Sequence, residues 1–170
     1  MKIYFVRHTA VDVPSGTCYG QSDVGLAGTF LQEASVVKEK LSGITWERIY
    51  TSPLSRCRRL ADYCGYPDAA TDVRLKELDF GEWEMQQWDE LDMSPWEIDW
   101  IGSPPPGGES FRQMYTRVAA FLDEIKKEDL DTLIFSHGGV IRCALIYFGE
   151  TTFEKAFDKS VDYGEVVVFG

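Results

Sequence analysis

Only two histidines occur in this 170-residue chain, and each closes a short apolar run: His8 follows Lys2-Ile-Tyr-Phe-Val-Arg7, and His137 follows Thr132-Leu-Ile-Phe-Ser136. An imidazole near neutral pH can act as nucleophile, proton carrier or hydrogen-bond donor. Arg7 stands beside His8, Gly138 and Gly139 follow His137, and a further arginine, Arg56, ends the stretch Thr51-Ser-Pro-Leu-Ser-Arg56. A guanidinium fork matches two oxygens of a phosphate or carboxylate, and a helix N-terminus favours anions through its free amides and macrodipole. The glycines would let backbone amides come close to a ligand. Taken singly, each residue has a structural reading: a strand-end histidine is commonly a solvated or hydrogen-bonded residue, and an arginine in a helix's first turns commonly sits on the surface. The joint pattern carries the inference of chemistry on an anion.

The elements that must position these residues can be read from periodicity. Ile3–Val6 and Thr132–Ser136 are apolar enough for strands buried on both faces, as in a parallel sheet, whose ligand crevice lies beyond the carboxyl ends of the strands. Both imidazoles should therefore emerge on one edge. Residues 9–28 are polar, glycine-containing and irregular, which predicts a long loop leaving that edge. Apolar spacing predicts helices over 29–41, 54–63, 109–127 and 140–148, the second opened by Ser52 as N-cap with Pro53 at N1. Strands are expected at 47–51, more weakly at 71–75, and at 165–169, with short helices around 86–91 and 95–101. Gly102-Ser-Pro-Pro-Pro-Gly-Gly108 can be neither helix nor central strand and is expected to be a surface connection. The alternation predicts an α/β fold of three layers, α/β/α, around a mostly parallel central sheet, as one domain over 1–170.

Composition narrows the function classes. A formal net charge of −11 argues against nucleic acid and against an anionic membrane surface, and an anionic substrate would need a local positive island. No apolar run approaches the roughly 20 residues of a membrane span, and Arg7-His8 interrupts the first apolar stretch too early for a signal peptide, so a cytoplasmic location is expected. The four cysteines form no C-x-x-C pair and lie at no zinc-type spacing to the histidines. Oligomeric state is not legible.

Four stretches in order, Val6-Arg-His-Thr9, Thr51-Ser-Pro-Leu-Ser-Arg56, Leu75-Lys-Glu-Leu-Asp-Phe-Gly-Glu-Trp-Glu84 and Ser136-His-Gly-Gly139, resemble the histidine phosphatase superfamily, also called phosphoglycerate mutase-like. The resemblance implies metal-free and cofactor-free phosphoryl transfer through a phosphohistidine. His8 would be the nucleophile, Arg7 and Arg56 phosphate ligands, His137 the second histidine on the transferring group, and Glu77 the acid that protonates the leaving alcohol. Positioned cations and amides would supply most of the catalysis, a protonated His137 among them. His8 must instead be neutral, which predicts that its other nitrogen donates to a backbone carbonyl. Glu77 must give a proton in the first step and act as base on water in the second. Glu82 and Glu84 are rivals for that role, Asp79 reads as structural, and Arg58 and Arg59 face other sides of their helix.

The chain departs from the family pattern at two places. Thr9 stands where many members have glycine, and Pro14 stands where they have a phosphate-holding asparagine; Thr9, Gln21 and Ser22 are candidates for the vacated job. The loop Arg7-His-Thr-Ala-Val-Asp-Val-Pro-Ser-Gly-Thr-Cys-Tyr-Gly-Gln-Ser-Asp-Val24 is similar to that of α-ribazole-5′-phosphate phosphatases, the cobalamin-pathway branch, as are Phe80–Trp88 and Pro106–Ser110. That likeness implies α-ribazole 5′-phosphate, or its cobalamin-linked form, as the small-molecule partner. Tyr19, Trp83, Trp88, Trp96 and Trp100 could stack on its base, or pack helices onto the sheet. A sugar or glycerate phosphatase or mutase is the alternative, and a phosphate-binding module without turnover a third reading.

Overall fold

The computed structural model describes residues 1–170. The chain runs β1 (Ile3–Arg7), α1 (Phe30–Lys40), β2 (Arg48–Thr51), α2 (Ser55–Cys64), β3 (Ala70–Thr71), α3 (Ser94–Asp99), α4 (Phe111–Ile125), β4 (Thr132–Ser136), α5 (Gly138–Tyr147) and β5 (Val166–Phe169). The strands form one sheet in the order β3-β2-β4-β1-β5; all neighbours are parallel except β5, which lies antiparallel on β1. β4 is central and every one of its residues is buried, as its unbroken apolar run requires.

Side-chain alternation sends the strand residues into two cores. Val6, Leu133 and Phe135 pack under α1 and α2 with Ala34, Val37 and Leu60. Phe5 and Ile134 face the other way, into the larger core that α4 and α5 close with Met114, Val118, Val140 and Ile141. The three-layer expectation holds. The apolar face of α4 is the one its periodicity predicts, and Ser110 caps it in a reciprocal box with Gln113, satisfying two otherwise free backbone amides.

Several expected elements differ. The 71–75 strand is only Ala70–Thr71, because Asp72 accepts from the Arg74 amide and turns Val73–Leu75 into a 3-10 turn. The 86–91 helix is a single 3-10 turn at Trp88–Glu90, and the next helix is Ser94–Asp99. Helix α2 has Leu54, not Ser52, at the N-cap position. Ser52 instead accepts from the Leu54 amide, and Asp23, reaching in from the long loop, accepts from both the amide and hydroxyl of Ser55.

Candidate active site

β1 and β4 pair with Arg7 opposite Ser136, and the His8 amide donates to the Ser136 carbonyl at 3.0 Å. The two histidines therefore leave adjacent strands at the same level, their ring centroids 5.2 Å apart. Both rings are buried. His8 Nδ1 lies 2.7 Å from the Thr9 carbonyl oxygen. A carbonyl only accepts, so Nδ1 carries the proton and Nε2 keeps its lone pair. Burial holds His8 well below the ordinary imidazole pKa, and the Arg56 and Arg7 charges push the same way.

His137 is also held well below its ordinary value, first by burial and then by the Arg56 charge, which favours the neutral ring in the unliganded site. Its Nε2 lies 2.8 Å from Ser52 Oγ and 3.5 Å from Cys57 Sγ. Desolvation outweighs whatever a cationic ring would gain here, because the nearest formal charges are themselves positive.

Arg56 has no exposed surface. Its two terminal nitrogens donate to the carbonyls of Ser22 and Gly20, which pins the long loop against α2. Glu84 holds the same loop from the other side, accepting from the amides of Gln21 at 2.7 Å and Ser22 at 2.6 Å and from the Ser22 hydroxyl. Those hydrogen bonds hold its carboxyl below the usual range against the cost of burial, which makes Glu84 a loop anchor and not a rival acid. Glu82 is exposed. Arg58 and Arg59 are exposed as expected.

A cavity of about 210 Å³ opens beside His8 and is lined by Arg7, Glu77, Gly138 and Gly139 as well. Glu77 accepts from the Leu78 amide through Oε1 at 2.9 Å and from the Gly139 amide through Oε2 at 3.0 Å, so each oxygen is aimed with a lone pair to spare. Gln21 and Arg117 fix the backbone of Glu77 by donating to its carbonyl. The two glycines also make room for side chains. A Cβ at Gly139 would overlap Glu77 Oε1, and one at Gly138 would come within 3.0 Å of Arg142 Nη1 and 3.4 Å of Arg7 Nε. Their absent side chains let charged groups, not only amides, crowd the helix N-terminus.

Arg142 is the lining residue that sequence reasoning missed. It lies in α5 four residues after Gly138, on the face that returns to the strand end, and that spacing was the available signal. Across the chain, four buried side-chain polar atoms have no hydrogen-bond partner: Arg7 Nε, Thr9 Oγ1, Arg56 Nε and Arg142 Nε. All belong to residues gathered at the carboxyl ends of β1 and β4. Of the three candidates for the missing asparagine, Gln21 and Ser22 are already engaged, and Thr9 alone has a free hydroxyl. The aromatic residues divide similarly. Trp88 and Tyr19 line the cavity with Phe80, Phe111 and Phe157, whereas Trp83 and Trp96 meet edge to face at 5.3 Å and Trp100 packs on Phe111.

A model of the histidine phosphatase superfamily (branch 1) matches residues 3–170. The chain belongs to this superfamily. A probable phosphoglycerate mutase GpmB from Salmonella choleraesuis (strain SC-B67) is 31% identical over 156 residues, which cover 84% of this chain and 72% of that protein. The crystal structure of a phosphoglycerate mutase from Thermus thermophilus superposes with a TM-score of 0.81 at 29% identity, covering 99% of this chain and 92% of that one. An alpha-ribazole phosphatase from Shigella flexneri gives a TM-score of 0.87 at 23% identity, covering 99% and 89%, a likeness of fold. The superfamily membership makes this a phosphatase- or mutase-like enzyme. No helix is long and apolar enough to cross a membrane.

Proposed function

We propose that this histidine phosphatase superfamily member is a metal-independent phosphomonoesterase working through phosphohistidine at His8, with α-ribazole 5′-phosphate or its cobalamin-linked form as substrate. The observation that carries the chemistry is the convergence of the unpartnered Arg7 Nε, Thr9 Oγ1 and Arg56 Nε around an imidazole whose Nε2 is free. An unpaired buried donor costs about 1–3 kcal/mol, which a phosphoryl group's oxygens would recover. His8 Nε2 attacks phosphorus, the ester P–O bond breaks, and the alkoxide takes the proton of Glu77. Water then attacks the phosphohistidine, gives its proton back to Glu77, and phosphate leaves as the P–N bond breaks. Arg7 and Arg56 stabilise the equatorial oxygens, and His137 contributes a hydrogen bond to the transferring group.

The substrate assignment is supported by the cavity wall. Alongside the charged groups it includes Phe80, Trp88, Phe111, Met114 and Phe157, surface suited to a heteroaromatic base. A small, fully anionic glycerate ester would leave that wall unused. The mutase reading keeps the support of the 31% identical relative, whose name states phosphoglycerate. Specificity constants for phosphate release from α-ribazole 5′-phosphate, 3-phosphoglycerate and p-nitrophenyl phosphate, with EDTA present, separate the readings. Preference for the first by orders of magnitude is expected. Preference for 3-phosphoglycerate would transfer the enzyme to the mutase-like branch, and no release from any ester would leave a binding module.

A further inference from the structure

Arg142 has no role in the phosphoryl-transfer steps just described. Its guanidinium sits 4.7 Å above the Phe157 ring, makes no hydrogen bond to protein, and has no carboxylate within 4 Å, in a chain with 28 acidic residues. Burial lowers its pKa, and the Glu77 charge is the largest influence opposing that shift. An arginine half-withdrawn from water and left without a partner carries a desolvation cost that a ligand oxygen would offset.

Its place on the wall says which part of the ligand that oxygen belongs to. A Cβ at Gly138 would meet Arg142, and Gly139 donates its amide to Glu77, so both charged groups lie against the first turn of α5. The group next to Glu77 is the leaving alcohol. Beyond Arg142 the wall turns apolar at Phe157 and Phe111. A leaving group suited to this sequence of surfaces has oxygens close to the ester and an apolar body farther out. Hydroxyls meet the charge pattern better than a carboxylate, because a hydroxyl accepts from Arg142 without bringing a second negative charge to Glu77.

We infer that Arg142 is a specificity-determining residue that holds the hydroxyls of a sugar ring in the leaving group. The inference rests on the phosphomonoesterase reading and names the subsite that would recognise its ribosyl portion. It is tested by calorimetric binding in a His8→Ala background, where ligand is not consumed, using ribose 5-phosphate, methyl phosphate and inorganic phosphate. Ribose 5-phosphate is expected to bind about tenfold or more tighter than methyl phosphate, and adding Arg142→Gln to bring that preference to within about twofold while inorganic phosphate affinity stays nearly unchanged. Arg142→Lys, which keeps charge but loses the fork, should restore part of the preference. Retained phosphate binding also reports that the variants fold. No preference in the background protein, a preference that survives Arg142→Gln, or an equal loss for inorganic phosphate would each overturn the assignment. Failure of the wild-type protein to hydrolyse α-ribazole 5′-phosphate would instead overturn the proposed substrate and leave the binding ratios standing.

Discussion

The hydroxyls of Tyr19 and Tyr163 meet 2.7 Å apart across 144 residues of sequence, and each ring faces an arginine of the site: Tyr163 lies 4.0 Å from Arg7 and Tyr19 5.5 Å from Arg56. The pair joins the long loop after β1 to the segment leading into β5, over the buried histidines. Tyr19→Phe and Tyr163→Phe should each lower stability by about 0.5–1 kcal/mol, and the double variant by no more than either alone, because both remove the same hydrogen bond. Chemical denaturation of the three variants checks this; simple additivity would show that the hydroxyls act independently.

His8→Ala should lower hydrolysis by about four orders of magnitude or more with the fold retained, since Arg7 and Arg56 remain to bind phosphate. An alkaline quench with labelled ester should trap a phosphoenzyme in wild type and none in the variant. Glu77→Gln should slow alkyl esters by about 10²–10⁴ and p-nitrophenyl phosphate much less, because nitrophenolate leaves with little protonation. Equal losses on both esters would place the acid elsewhere.

Both histidines are kept neutral in the folded protein by burial and by Arg56, whereas the unfolded chain takes a proton on each near pH 6.5. Below that pH the unfolded state binds more protons, so this part of the stability is complete above about pH 6.5 and declines as pH falls, by up to about 1.4 kcal/mol per unit for each ring. Denaturation midpoints between pH 7 and 5 should show the decline, and His137→Gln should halve its slope. The acid limb of kcat/KM should likewise lie below pH 6.5.

Glu84→Ala should cost about 2 kcal/mol by stranding the amides of Gln21 and Ser22, and should weaken competitive inhibition by inorganic phosphate severalfold, because Gly20 and Ser22 supply the carbonyls that hold Arg56. Exposed Glu82→Ala serves as the control, with stability within about 0.5 kcal/mol of wild type. An unchanged inhibition constant in Glu84→Ala would show that Arg56 holds its pose without the loop.

The strands bearing His8 and His137 were legible because burial on both faces demands an unbroken apolar run, and α4 because its buried residues keep a strict helical spacing. The short edge strand β3 was not, since Asp72 captures the Arg74 amide and ends the pairing by a local side-chain hydrogen bond. Leu54 at the start of α2 was missed because the residue that satisfies the helix amide, Asp23, lies 32 positions away. The neutrality of His137 was hidden for a similar reason. A sequence places Arg56 one turn into a helix but does not say that its charge will be fully buried against the imidazole.

β1 sits between β4 and β5, and Arg7 donates to the carbonyl of Val161, so each neighbour of the first strand comes from Thr132–Phe169. During synthesis, Ile3–Arg7 must wait with both edges unpaired until Thr132–Ser136 has left the ribosome. Nascent chains shorter than about residue 132 would carry the apolar Ile3–Val6 run exposed, with no anion site to bind a stabilising phosphate. Folding of the sheet is therefore expected to be governed by closure of this long-range pairing, and to be most open to aggregation before β4 inserts.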